Sequence, residues 1–450
     1  MNRAAGWRSP GGYLLEIRTH QAPPVRGACV ERDRRLRAAT ARQAMTGFGL
    51  FRSTDGVAHR MTNGLTGQPA CGQDRLGWPS AQPPGHRAGA QKRMNSKQRC
   101  LAAIHGEAVD RTPVFPLLMF FAQKRAGITY RQFAADGSAL AEAQLNIRSG
   151  FPVDAITACS DAFRIAADLG AEMVYPEDKP PFAARPLVRT EGDLRALGRP
   201  DPCRAGTRMA DRVLGTRTMA RSVGQDCLVL GWVDMPFAEA CSLCGVAEFL
   251  MMLADQPGLA HAVLEFLTDL VIEFSLAQLS VGAPMIGAGD AAASLVSPSQ
   301  YRDFALPYEK RVIEKIHQAG GLAKLHICGN TSHLLPDMVQ CGADLFNVDH
   351  LVPLDLACAA YGKADKAFKG NLDPVADLLH ATPRECEKRC AAILQQTAGL
   401  RFMLSAGCEV PAETPDEVFQ VFCHAPQESG TDPEAWKQAP AGGRPIRDVN

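Results

Sequence analysis

Eight short apolar runs, most of them separated by a segment long enough for a helix, constrain this 450-residue chain more than any other feature. They fall at residues 113–118, 154–158, 227–233, 283–288, 322–328, 344–348, 366–369 and 400–404. Runs of this length alternating with amphipathic stretches are the mark of parallel βα units. An open doubly wound sheet would bring a glycine fingerprint for a dinucleotide, and the sequence has none. Eight units favour closure into an α/β fold of the (β/α)8 TIM-barrel type, spanning residues 94–425.

Segment 297–321 shows how the units are punctuated. Ser297-Pro298 predicts a cap followed by a proline in the first helical position. Tyr301, Phe304, Ala305, Tyr308, Val312 and Ile316 then form one apolar stripe at helical spacing. Gly320-Gly321 end the helix, and the next strand follows at once. Residues 180–225 are polar and contain proline, and are expected to be an insertion after the second strand.

The two ends differ from this body. Residues 1–93 carry fifteen Lys or Arg against five Asp or Glu, whereas the remainder carries 33 against 43. Gly and Pro recur in the first 93 residues without a period, and Met94 offers a fresh start ahead of a helix opened by Asn95-Ser96-Lys97. Residues 1–93 are expected to be a disordered or mis-annotated extension, and 426–450 a flexible tail. The acidic body argues against a nucleic-acid partner, because neutralising phosphates takes a basic face. No apolar stretch in the extension has the length of a signal peptide or membrane span, so the expected setting is the cytoplasm, away from membranes. Fifteen cysteines, an odd number without an export signal, point to thiols or metal ligands rather than disulfides.

Chemistry-bearing residues gather at strand ends. Asp161, Asp234, Asp290, Asp349 and Asp373 lie at or just beyond the C-terminal end of a predicted strand, the face on which barrel enzymes build their sites. Each is equally suited to capping the helix that follows. Leu325-His326-Ile327-Cys328-Gly329 is sharper. Alternation along a strand puts His326 and Cys328 on one side and Ala323, Leu325 and Ile327 on the other, where apolar side chains suit the helix-covered exterior. Imidazole with thiolate is a donor set matched to zinc. Cys408, just past the eighth strand, supplies a third ligand on the same face, and Gly407 permits the tight approach. The pairs Cys241/Cys244 and Cys386/Cys390 fall at helical spacing in apolar surroundings and are expected to be core.

These residues resemble the uroporphyrinogen decarboxylase superfamily, over a span from about Met94 to Val421. The likeness rests on Arg111-Thr112-Pro113, Ser297-Pro298 leading to Pro307-Tyr308, His326-Ile327-Cys328-Gly329, Gly370-Asn371-Leu372-Asp373-Pro374, and Gly407-Cys408 with Thr414-Pro415. Within it, the H-x-C and late cysteine resemble the zinc-dependent methylcobamide:thiol methyltransferases, typified by the coenzyme M enzymes. That resemblance implies Zn2+ held by His326, Cys328 and Cys408, with a methyl group moved from a methylcobamide to a small thiol or similar acceptor. The chain has no D-x-H-x-x-G pattern of its own, so the methylcobamide is expected on a separate corrinoid protein or free in solution. Coordination to zinc would deprotonate a thiol whose free pKa is about 8.5. Asp161 corresponds to the aspartate of the decarboxylases, and Asp349 is suited to fill the fourth zinc position before substrate arrives, with Glu409 as a lesser candidate. The arginine-rich motif of the true decarboxylases is replaced by Met119-Phe120-Phe121-Ala122-Gln123, their late histidine by Cys408, and their tyrosine by a residue near Ser242. A cofactor-free decarboxylase of porphyrin biosynthesis is therefore the alternative expectation. A non-catalytic zinc- or corrinoid-binding partner stands behind it.

Overall fold

The apolar runs pair in chain order to make a curled parallel sheet. A computed structural model describes residues 93–428, so the expectations for the extension and the tail fall almost wholly outside the described residues. The strands are β1 (Ala155–Thr157), β2 (Met173–Val174), β3 (Phe182–Ala183), β4 (Leu228–Asp234), β5 (Met285–Gly289), β6 (Leu322–His326), β7 (Leu345–Asn347), β8 (Ala367–Leu372) and β9 (Phe402–Ala406). Seven of them form one parallel sheet in the order β1-β4-β5-β6-β7-β8-β9. β2 and β3 make a separate antiparallel pair. Two residues each, they are too short to leave an alternating signal.

The first expected strand, 113–118, does not form a ladder. Val114 makes one parallel bridge to Leu404 and Leu117 one to Glu409. Pro113 and Pro116 have no N–H to give, so regular pairing is interrupted there. On its other side the segment meets the start of β1, where the Asp154 N–H donates to the Val114 carbonyl at 2.8 Å. The Asp154 carboxylate secures this junction: it accepts from the Val114 N–H at 2.8 Å, from Arg99 at 2.6 Å and from Arg111 at 2.8 Å.

Below the sheet, helix Ser96–His105 closes the floor, started by a capping box between Asn95 and Gln98. Its Cys100, Ala103 and Ile104 pack with Phe115, Leu228, Leu230, Met285, Leu345 and Met403 in a cluster inside the curl. Outward-facing Ala323, Leu325 and Ile327 lie in the larger cluster between sheet and helices, as alternation predicts.

Three helical readings change. Segment 297–320 is two helices, Pro298–Phe304 and Leu306–Gln318, broken at Ala305. Pro307 cannot donate back into the first turn, so it begins a new helix instead. The polar stretch expected as an insertion contains a sixteen-residue helix, Arg208–Val223. Its Met209, Val213, Thr216 and Met219 are buried at helical spacing. Finally, helix Asp416–Glu428 runs through Pro426 into the expected tail. No single helix among the described residues is long and apolar enough to cross a membrane.

Candidate metal centre

His326 is the last residue of β6, Cys328 follows two residues on, and Cys408 lies two residues past the end of β9. β6 and β9 are not neighbours, so only the curl of the sheet brings the two segments together. Cys328 Sγ is 3.0 Å from His326 Nε2 and 3.6 Å from Cys408 Sγ, and Cys408 Sγ is 3.7 Å from His326 Nε2. Tetrahedral zinc, with bonds of about 2.3 Å to sulfur and about 2.0 Å to nitrogen, sets S···S near ~3.8 Å and S···N near ~3.5 Å. Both edges to Cys408 lie within about 0.2 Å of those values, and the Cys328–His326 edge is about 0.5 Å shorter. His326 is buried and both cysteines are half-buried, so one side of the triangle remains approachable. His326 Nδ1 is buried without a hydrogen-bond partner, so Nε2 is the nitrogen turned to the sulfurs.

The loops around the triangle are stitched by side chains of β7 and the residues after it. Asn347 donates to the Gly407 carbonyl at 2.8 Å, holding the Cys408 loop. The Gly329 N–H donates to Asp349 Oδ2 at 2.9 Å, holding the loop after Cys328. At Gly407 a Cβ would lie 2.2 Å from the His350 backbone nitrogen, so only glycine lets these loops touch. The two thiols form a hydrogen-bonded pair. The hydrogen bond between them and the neighbouring His326 pull Cys408 down to about 3, while Cys328 is raised as the partner that keeps its proton.

Asp349 does not join the donor triangle, whose members among the described residues are His326, Cys328 and Cys408. Its two oxygens accept from Gly329 and Leu351 N–H groups, and Oδ1 lies 3.1 Å from His350 Nδ1. The other aspartates divide between pairs and caps. Asp161 is buried, accepts from Ser160 at 2.7 Å and pairs with both ends of Arg208 at 2.8 and 2.9 Å. Although burial opposes it, this pairing holds its carboxyl well below the ordinary range. Asp234 pairs with Arg164 at 2.5 Å, yet burial raises it to about 6. Asp290 accepts from the Ala238 N–H at 2.7 Å and is coupled to buried Glu309. Asp373 caps the turn that follows, accepting from Val375 and Ala376. Glu409 is turned inward rather than to solvent: it accepts from the Met119 and Phe120 N–H groups, and burial pushes it up to about 8.

Sequence reasoning missed Arg164, Arg208, Glu239 and Lys324. Two of these are arginines at the mouth, where the sequence promised little positive charge, but each is committed to an aspartate. Glu239 is buried with both oxygens unpartnered. Lys324 shares the inward face of β6 with His326, so alternation alone could have found it. Burial lowers its amine to about 8 against the pull of the Cys159, Cys328 and Cys408 thiols. Cys241, Cys244, Cys386 and Cys390 are buried core, as expected.

The uroporphyrinogen decarboxylase (URO-D) model matches residues 95–429. A uroporphyrinogen decarboxylase of Nocardia farcinica is 33% identical over 309 residues, covering 66% of this chain and 84% of that protein. One from Xanthomonas euvesicatoria pv. vesicatoria is 28% identical over 323 residues, covering 68% and 89%. Among solved structures, a methyltransferase from Methanosarcina mazei has a TM-score of 0.68 at 21% identity, covering 74% of this chain and 99% of that one. At that identity the likeness speaks for the fold. The chain belongs to the uroporphyrinogen decarboxylase family.

Proposed function

We propose that this protein is a zinc-dependent methyltransferase that moves a methyl group from a methylated corrinoid to a small thiol or similar acceptor. The observation that carries the reading is the His326–Cys328–Cys408 triangle, whose edges of 3.0, 3.6 and 3.7 Å lie within about 0.5 Å of those around a tetrahedral ion with one position left open. A zinc ion bound there would lower the pKa of an incoming thiol and so present it as the nucleophile. The chain's own residues orient the reactants. Asn347 and Asp349 fix the ligand loops from behind, so the triangle is held before substrate arrives. Asp161 acts through Arg208, as a positioning group rather than a metal ligand. In this reading segment 113–118 is the eighth stave of a (β/α)8 barrel, and the corrinoid is carried by a separate protein or comes free. The setting is the cytoplasm.

The test is loss of methylcobalamin absorbance on adding 2-mercaptoethanol to zinc-loaded protein, with His326→Ala reducing the rate by about 100-fold or more. Metal-free protein that demethylates as fast as loaded protein would sink the proposal.

The decarboxylase reading has its own support. The curated relatives reported above carry that name, and on kinship alone it stands at least as well. Asp161 is also retained at the mouth. The two readings part on the metal. Carbon dioxide released from uroporphyrinogen at full rate after chelation would establish the decarboxylase and retire the methyltransferase.

A further inference from the structure

Beneath the donor triangle lies a charge that the mechanism above leaves unused. Lys324 is 1% exposed, and its Nζ has no hydrogen-bond partner. It makes no ion pair among the described residues. A buried ammonium without a carboxylate is costly, so something else must favour it. Part of the answer is aromatic: Nζ sits 4.5 Å from the Trp232 ring centroid and 5.9 Å from that of Phe115. Two glycines on β5 make room for this contact. A Cβ at Gly287 would lie 2.6 Å from Trp232 Cε3, and one at Gly289 would lie 3.4 Å from Cζ2. The indole therefore lies across bare backbone to reach a lysine on the next strand. The site is built.

Lys324 also has a fixed relation to the metal ligands. It precedes His326 by two residues on the same inward face of β6, a step of roughly 7 Å along the strand. A second lysine, Lys369, is buried in the same interior, but it is occupied, donating to the Phe115 carbonyl at 2.8 Å and to Ser405 Oγ at 2.9 Å. Neither meets a carboxylate among the described residues, but of the two only Lys324 lacks a hydrogen-bond partner.

We propose that Lys324 is the counter-charge of the metal centre and selects an anionic fourth ligand over a neutral one. This rests on the metal-centre reading above. A divalent ion with two thiolates and one neutral imidazole carries no net charge. A thiol that enters loses its S–H proton to solvent and brings one negative charge into a low-dielectric interior. With Lys324 below, that charge is balanced. A neutral ligand gains nothing from the lysine. Attraction between unit charges even roughly 10 Å apart, at the screening usual inside proteins, is worth about a tenfold difference in affinity or more.

The experiment uses full-length protein with Co(II) in place of zinc, so that visible absorption reports what binds the metal. Two probes are titrated: 2-mercaptoethanol, which binds as an anion, and imidazole, which binds uncharged. In Lys324→Met the dissociation constant for 2-mercaptoethanol should rise about tenfold or more, while that for imidazole stays within about twofold and Co(II) content is unchanged. Lys324→Gln, which keeps a polar tip, should show the same split if the methionine variant fails to fold. Equal weakening of both probes would mark a merely structural lysine and overturn the proposal, as would an unchanged thiol affinity. Wild-type protein that takes up no Co(II) would instead sink the metal-centre reading, and this inference with it.

Discussion

The floor and the mouth of the sheet both bury charge, but they treat it differently. At the floor most charges are satisfied: Asp154 accepts from two arginines and a backbone N–H, and Asp110 accepts twice from Arg99, with Arg148 Nε the exception. At the mouth several are not. Glu239 has both oxygens unpartnered, Arg164 has two free nitrogens, and Lys324 and His326 Nδ1 have no hydrogen bond. A buried polar atom without a partner costs about 1–3 kcal/mol. In folded proteins such atoms are met by ordered water, a ligand, an ion or a reaction. On the proposed reading the contrast gives stability to one end and chemistry to the other, the division that barrel enzymes show.

That assignment can be broken at either end. The largest effect should come from the proposed metal ligands: Cys328→Ala or Cys408→Ala should each lose most of the zinc that the wild type is expected to bind. Metal analysis of purified variants that retain a full complement would remove the triangle from the account. At the floor, Asp154→Ala strands Arg111, leaves Arg99 with Asp110 alone, and should cost about 3–5 kcal/mol of stability, read from denaturant unfolding. Metal per folded chain should not change. Parallel loss of metal there would mean that the two ends are not separable.

A third change acts through pH. Burial, with nearby Asp234, pushes the Glu239 carboxyl well above its ordinary range. In the unfolded chain this group ionises near ~4.3, so its protonated folded form contributes fully below that pH. The contribution is lost as pH rises through the folded value. Glu239→Gln should therefore match wild type near pH 4.5 and exceed it at pH 8, by roughly 1–3 kcal/mol. A gap in melting temperature that is flat across this range would show that Glu239 is matched in the folded protein after all. The smallest effect sharpens the comparison. Asp373 is at the mouth but only caps a turn, so Asp373→Ala should cost about 1 kcal/mol with thiol affinity unchanged.

How much of this was legible depends on whether the signal is local. Period-two alternation is local, and it oriented His326, Cys328 and the outward Ala323, Leu325 and Ile327 correctly. The same rule placed Lys324 inside, but a lysine in a strand is easily taken for a solvent-facing residue. Arg164 and Arg208 were invisible because their meaning lies in pairing. Nothing near either residue in the chain announces Asp234 or Asp161 as its partner. The helix at Arg208–Val223 was hidden by its polar composition, although its buried stripe at 209, 213, 216 and 219 is regular. Asp349 was expected to fill a fourth zinc position, but the alternatives open to a carboxylate there, ligand or loop tether, separate only in three dimensions. The geometry has it tethering Gly329.

The stitches behind the triangle bear on how the proposed metal would reach it. In small zinc modules the ion organises the chain, and removing it unfolds the module. Here Asn347, Asp349 and the bare backbone of Gly407 hold the ligand loops independently of any ion. Little ordering is left for the metal to do on arrival. On the proposed metal reading the centre would act as a socket, emptied by a chelator and refilled while the rest of the molecule stays folded. Which ion it took up would then follow from what is on offer as much as from the protein.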